Sequence, residues 1–98
     1  MITNQNINRA GLIIEKICDR YGLTYSQIFS SSRAREVSYP RMLAMALIRE
    51  QTTFSYPEVA KIFNKFDHKS AIYAFQNFEK VKQYLEYDAK TETNGEGI

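Results

Sequence analysis

Apolar residues recur every three or four positions at the beginning of the chain, which is the spacing of one face of an α-helix. This pattern predicts a helix from about Asn4 to Tyr21, with a stripe made of Ile7, Gly11, Ile14, Cys18 and Tyr21. Gly22 follows, at a place where helices commonly end in the left-handed conformation. Thr24 can cap a short second helix that runs through about Phe29. The chain is therefore predicted to open with a helix, a turn and a short helix.

A long apolar run marks the centre of the chain. It follows residues 30–36, SSSRARE, a polar loop whose simplest interpretation is a flexible linker. A helix is predicted to begin near Ser38, with Pro40 in its first turn, where a missing N–H costs nothing. It continues through an unbroken apolar stretch from Met42 to Ile48 and ends near Gln51. A helix that is apolar on nearly every side is expected to be central and buried.

The second half of the chain predicts a short helix with clear start signals. Ser55 is a good cap, Pro57 suits the first turn, and Glu58 completes a capping box. We expect this helix to end by Asn64, after which a turn of about three residues leads to Asp67, a capping residue for the next helix.

The last predicted helix is a long one, from about His68 to Tyr87. Its apolar residues are assigned to one face, formed by Ile72, Phe75, Phe78, Val81 and Leu85. It begins with the small and polar residues HKSA, and two helices joined by about three residues in this way have helix-turn-helix geometry. The sequence therefore predicts an all-α, compact helix-turn-helix domain over residues 1–87 and a disordered polar tail over residues 88–98.

The formal net charge of +2 is unevenly distributed along the chain. Residues 1–85 carry +5 and residues 86–98 carry −3. A basic body with an acidic end is compatible with nucleic-acid binding, although charge alone does not demonstrate it.

Several functional classes lack the residues that they require. Cys18 is the single cysteine, which excludes an intramolecular disulfide and a multi-cysteine metal site, and its apolar neighbours predict a small buried side chain. His68 is the only histidine and no nucleophile–base pair accompanies it, so we expect no enzyme activity, no metal and no cofactor. No stretch approaches the roughly 20 apolar residues of a membrane span, and the beginning lacks the apolar core of a signal peptide. We therefore expect a cytoplasmic protein.

Three separated segments stand in register, without insertions, with the motifs of a known family. They are PRMLAMALIRE at residues 40–50, SYPEV at residues 55–59 and DHKSA at residues 67–71. They resemble the Pro-Arg-opened central helix, the Leu-Pro-Glu-Ile-Gly short helix and the Gly-Gly-Arg-Asp-His-(Thr/Ser)-Thr-Val signature of the carboxy-terminal DNA-binding domain, domain IV, of the bacterial replication initiator DnaA. The loop at residues 30–37 also resembles the family, and the resemblance covers about residues 7–85.

The resemblance implies a TrpR-like domain of five to six helices that binds double-stranded DNA at a DnaA box, in replication initiation or its regulation. In that family the recognition helix enters the major groove and a loop arginine enters the adjacent minor groove. Carried over by position, the base-reading residues are Arg33, Asp67, His68, Lys69 and Ser70. The expected phosphate contacts are Arg35, Arg41, Arg49 and Lys65. Replication proteins are further candidate partners, and a bacterial, nucleoid-associated location is implied.

The chain departs from the family pattern at several positions. Residues 64–66, Asn-Lys-Phe, replace Gly-Gly-Arg, and Lys69 replaces a threonine. Met42 stands where a glutamine is usual, and a thioether cannot donate a hydrogen bond to a phosphate. The chain also has no Gly-x4-Gly-Lys-(Ser/Thr) loop and therefore no nucleotide-binding domain, so we expect either an excised domain or a stand-alone DnaA-like protein, and the departures favour the second.

A protein-interaction module, or a transcriptional regulator, could reuse this fold without DnaA-box specificity. The placement of charge distinguishes the two functions. A single basic face around His68 would favour DNA, and it would be formed by Arg33, Arg41, Arg49, Lys65 and Lys69. Scattered charges beside an exposed apolar patch would favour a protein partner.

Overall fold

The computed structural model describes residues 4–63 and 66–87, and this part of the chain forms six α-helices and no strand. The helices are α1 (Asn4–Tyr21), α2 (Tyr25–Ile28), α3 (Arg35–Gln51), α4 (Tyr56–Ile62), α5 (His68–Gln76) and α6 (Phe78–Leu85). The prediction of an all-α fold is confirmed. The predicted turn residues 64 and 65 and the predicted tail at residues 88–98 lie outside the described residues.

Helix α3 is the element on which the other helices pack, because each of α1, α2, α4, α5 and α6 contacts it. Its buried side chains extend around nearly the whole helix, as the unbroken apolar run predicts. The surrounding helices and loops complete the core with Ile17, Ile28, Val59, Phe63 and Val81, all almost fully buried. Removal of apolar surface from water is the dominant favourable term in folding, so α3 organises the domain.

The bounds of α1 match the prediction, but its buried face is displaced from the predicted stripe. Ile14 and Cys18 are buried as expected, whereas Ile7 is 51% exposed and Gly11 is also exposed. The face that packs consists of Ala10, Ile13, Ile14, Ile17 and Cys18. Gly22 ends the helix at φ 67°, the left-handed conformation predicted for it. Both stripes have helical spacing, and contact with α3 decides which one is covered.

Helix α3 begins at Arg35, earlier than the predicted start at Ser38, so Pro40 lies inside the helix and not in its first turn. Ala34 precedes the helix and makes no side-chain capping bond, so no capping residue marks this start. Pro40 cannot donate to the carbonyl of Glu36, one turn earlier. The Pro40 ring is nevertheless buried and contributes to the packing of α3.

The single helix predicted from His68 to Tyr87 is wrong, because the chain breaks it at Asn77 into α5 and α6. The Asn77 side chain donates from Nδ2 to the carbonyl of Tyr73 at 2.8 Å, and its backbone N–H donates to the same carbonyl at 3.0 Å. The backbone bond is the regular helical one, and the asparagine side chain shares its acceptor. Asn77 therefore ends one helix and precedes the next.

The buried face of this part of the chain differs from the predicted one. In the folded chain Val81 is buried together with Ala71 and Ala74, while Phe75, assigned to the same face by its spacing, is 36% exposed. The buried positions of α5 are thus displaced by one residue from the predicted Ile72 and Phe75.

The predicted start of α4 is confirmed by its capping box. The Glu58 N–H donates to Ser55 Oγ at 3.3 Å, and the Ser55 N–H donates to Glu58 Oε1 at 2.8 Å. The backbone hydrogen bond from Ser55, followed by the side-chain bond, lowers the pKa of Glu58. Thr24 and Gln27 form the same kind of box at the start of α2.

Replacement of Phe63 by alanine is expected to reduce the free energy of unfolding by about 3–5 kcal/mol, because it empties a buried aromatic site. Phe63 is fully buried, and its ring centroid lies 5.4 Å from that of Phe29. Urea denaturation measures the loss. Tyr73→Ala is the matched control, because Tyr73 is 57% exposed, and its expected change is below about 0.5 kcal/mol. Equal losses in the two variants would contradict this account of the core.

Candidate nucleic-acid interface

Helices α4 and α5 pack against each other and form the helix-turn-helix. Asp67 caps α5, since its Oδ1 atom accepts the backbone N–H of Lys69 at 3.0 Å and that of Ser70 at 3.3 Å. His68 and Lys69 are exposed and Ser70 is half-buried, while the following Ala71 is buried. The first turn of α5 therefore presents polar side chains at the surface while its next residue is anchored in the core.

A groove of about 480 Å3 joins the first turn of α5 to the loop before α3. Its lining residues are Arg33, Ser38, Arg41, Met42, Met45, Phe66, Lys69, Ser70 and Tyr73. The structure thus brings Arg33 together with Lys69 and Ser70, all of which the sequence predicts to read bases. Asp67 and His68 stand at the same end of α5 but do not line the groove.

The loop that carries Arg33 is held by its own serines, in contrast to the flexible linker that its composition suggests. The Ser32 N–H donates to Ser30 Oγ at 3.2 Å, and the Ala34 N–H donates to Ser32 Oγ at 3.2 Å. The Ser30 hydroxyl donates in turn to the Gln27 carbonyl at 2.7 Å. Serine side chains that bond nearby backbone groups are typical of ordered turns. Arg33 is exposed within this hydrogen-bonded loop.

The Arg41 side chain is directed largely toward the protein itself. It is 4% exposed, and its guanidinium donates to the carbonyl of Ser30 at 2.9 Å and to that of Ser32 at 2.5 Å. The Phe66 ring lies over the guanidinium, 4.7 Å from ring centroid to Cζ. Each terminal nitrogen of Arg41 thus donates to a carbonyl of the protein itself, an arrangement that the predicted phosphate contact did not anticipate. Lys65, another expected phosphate contact, lies outside the described residues.

Arg35 and Arg49 keep charge at the surface beside aromatic rings. The Arg35 guanidinium carbon lies 5.9 Å from the ring centroid of Tyr39 and 5.7 Å from that of Tyr84, and Arg35 is exposed. Arg49 is half-buried and lies 4.7 Å over Tyr56, with its Nε atom buried and without a hydrogen-bond partner. Aromatic faces attract and orient guanidinium groups. The phosphate roles of both arginines stay predictions.

Two aromatic residues of the groove received no role from the sequence. Phe66 covers Arg41, and Tyr73 stands exposed along α5. The sequence contained a feature that could have pointed to each of them. Phe66 occupies the place of an arginine in the DnaA pattern, and Tyr73 follows Ser70 at the spacing that puts two residues on one helix face.

Other kinds of site find little support in the part of the chain that the structure describes. Within it, no group of three or more His, Cys, Asp and Glu side chains is placed to hold a metal ion. Among the same residues, no helix is both long enough and apolar enough to cross a bilayer.

The packed pair α4 and α5, with the polar first turn of α5 beside an arginine loop, defines the class of this protein as a small helix-turn-helix domain. The chain belongs to the bacterial DnaA helix-turn-helix family, since the model described as "Bacterial dnaA protein helix-turn-helix" matches residues 10–77. The resemblance noted in the sequence is thereby confirmed.

Similar proteins carry the name chromosomal replication initiator protein DnaA. The protein of Thermus thermophilus is 40% identical over 80 residues, which are 82% of this chain and 18% of that protein. The protein of Rickettsia akari is 37% identical over 86 residues, covering 88% of this chain and 18% of its own length. That of Anaplasma marginale is 32% identical over 87 residues, with coverages of 89% and 18%. The chain thus spans about a fifth of the length of these relatives.

Asp67→Ala is expected to lower the free energy of unfolding by about 0.5–2 kcal/mol, because α5 loses its N-cap. Asp67→Asn should cost less, since an asparagine oxygen can accept the same N–H groups. Chemical denaturation of both variants beside the unaltered protein measures the difference. An alanine variant as stable as the asparagine variant would show that the cap contributes nothing.

Proposed function

We propose that this domain binds double-stranded DNA at a DnaA-box-like site, in replication initiation or its regulation. The first turn of α5 would enter the major groove, with Asp67, His68, Lys69 and Ser70 toward the base edges, and Arg33 would enter the adjacent minor groove. The observation that carries the proposal is the groove that Arg33 shares with Lys69 and Ser70. Membership of the DnaA helix-turn-helix family supports it independently.

The chemistry of these side chains suits the two grooves. The major groove of B-DNA admits an α-helix and displays a distinct pattern of donors and acceptors for each base pair. A histidine can donate or accept there, and a carboxylate such as that of Asp67 can accept from the amino group of cytosine. A narrow minor groove has a strongly negative potential that attracts an arginine. Arg33 is suited to this role because it is exposed on an ordered loop.

The remaining cations would hold the phosphate backbone. Arg35 and Arg49 lie beside aromatic rings, and Lys65 precedes the start of α5 in the sequence. Such contacts position a protein on the duplex without reading its sequence. A single module of this size should bury on the order of 600–1,000 Å2 of protein surface on DNA.

Protein interaction is the second candidate function, and a separate surface favours it. An apolar groove of about 420 Å3 is formed largely by α1 and α4. Its lining residues are Ile7, Ala10, Gly11, Ile14, Phe54, Glu58, Lys61 and Ile62. This surface shares no residue with the groove of Arg33, so it is compatible with DNA binding and would become the leading candidate if the chain binds no duplex.

Tight and salt-dependent binding to a duplex that carries a DnaA box is expected. With about three phosphate contacts, the logarithm of affinity should fall against the logarithm of salt concentration with a slope of about −3. Fluorescence anisotropy at several salt concentrations, with a scrambled duplex as the control, measures slope and preference together. Equal affinity for both duplexes would reject the box-like site, and absence of binding at low salt would reject DNA binding.

His68→Ala is expected to cost about 1–3 kcal/mol of binding free energy on the preferred duplex and much less on the scrambled one, because a base contact carries sequence information. The matched control is Gln83→Ala, an exposed position on α6, which should bind both duplexes as the unaltered protein does. The same loss on both duplexes would remove His68 from sequence recognition.

A further inference from the structure

Arg41 is the one charged residue that is buried within the described part of the chain. Burial disfavours the charged form and lowers its pKa, with desolvation as the cause. Buried charges are retained in proteins where they are hydrogen-bonded, and they are best known for specifying one arrangement of the chain. A residue of this kind, next to a binding groove, therefore points to a particular structural task.

The Arg41 guanidinium joins the arginine loop to α3. It donates to the carbonyls of Ser30 and Ser32, at 2.9 Å and 2.5 Å. Two carbonyls separated by one residue suit the planar fork of a guanidinium, whereas a lysine ammonium is a single point of charge. Ser32 immediately precedes Arg33, and Ser30 lies three residues before it. The guanidinium therefore fixes the backbone from which Arg33 extends.

The guanidinium also contacts the ring of Phe66, the residue before the α5 cap. Phe66 lies 4.7 Å from the Arg41 Cζ atom and is followed by Asp67, whose carboxylate caps α5. An arginine at this position, as in the DnaA pattern, would set two cations against each other. The aromatic ring instead offers an attractive face to the guanidinium. Arg41 thus contacts both elements that face the groove.

We propose that Arg41 is a positioning residue that holds the Arg33 loop at a set distance from the start of α5, with Phe66 as its partner. The effect of Arg41 on DNA recognition rests on the proposed function, whereas its effect on the Arg33 loop does not. Arg41 makes no contact with DNA in this account. It fixes the separation of a minor-groove side chain and a major-groove helix, and that separation sets the preference for one duplex over another.

The charge-conserving variant Arg41→Lys tests this, together with Arg41→Met. The first measurement is amide hydrogen exchange in the free protein, which needs no DNA. The N–H groups of Ser32 and Ala34 are bonded inside the loop, and we expect them to exchange at least about tenfold faster in both variants, because the loop opens locally. Thermal unfolding of each variant shows whether the rest of the fold is retained.

The second measurement compares the preferred and scrambled duplexes. We expect Arg41→Lys to lose about tenfold or more of the preference, near the lower end of the loss of one base contact. Its affinity for the scrambled duplex and its salt slope should stay within experimental error, because no phosphate contact is removed. Arg9→Gln, an exposed position on α1, controls for the loss of one positive charge in Arg41→Met.

The outcomes separate the alternatives. If Arg41→Lys behaves like the unaltered protein in exchange and in preference, or if Arg41→Met weakens both duplexes equally, Arg41 is a source of charge and the proposal is overturned. If the unaltered protein shows no preference between duplexes, the proposed function fails, while loop exchange still decides whether Arg41 positions the loop. If the Arg41 variants unfold, Phe66→Leu provides the same two measurements, and normal loop exchange with normal preference would overturn the proposal.

Discussion

Helix α3 has to bury nearly all of its circumference, and this requirement dictates where everything else in the domain lies. A helix with one apolar stripe needs one neighbour, whereas α3 is covered only when α1, α2, α4, α5 and α6 all pack on it. The loop before α3 and the first turn of α5 are therefore fixed to one rigid element. This shared attachment determines the separation between Arg33 and Lys69, although the two residues are far apart in the sequence.

Helix α5 meets this requirement with small side chains. Ala71 and Ala74 are its buried residues, and their size lets the helix backbone lie close to its neighbours. Its larger and polar residues can then occupy the opposite side, where Tyr73 is 57% exposed. The same helix thus packs on the core through its alanines and presents its larger side chains at the surface.

Three of the departures from the DnaA pattern, those that the structure describes, lie in one groove. Met42, Phe66 and Lys69 all line the groove that also contains Arg33. They replace two polar groups by apolar ones and add a long cation. Phe66 also has an internal partner in Arg41, so the exchange alters how the two sides of the groove are tied together. Met42 and Phe66 are also packed against the core, so these changes affect both the groove and the packing beside it.

The sequence by itself determined the features whose causes are local. The bounds of α1, the αL glycine at Gly22, the capping box of Ser55 and Glu58 and the Asp67 cap depend on hydrogen bonds between residues at most a few positions apart. The apolar residues on nearly every side of α3 likewise predicted its central position. The family motifs, read in order, were enough to indicate the helix-turn-helix.

Only the tertiary structure decided the features that depend on distant residues. Which stripe of α1 is covered, and which face of α5 is buried, follow from competition among several faces for contact with the core. The start of α3 at Arg35 could not be predicted from the sequence, because no capping residue precedes it. Arg41 is the sharpest case, because an arginine in a basic segment is indistinguishable in sequence from a phosphate contact. Its role changes only when the fold brings the Ser30 and Ser32 carbonyls and the Phe66 ring around it, since burial makes internal partners necessary for a charge that water would otherwise solvate.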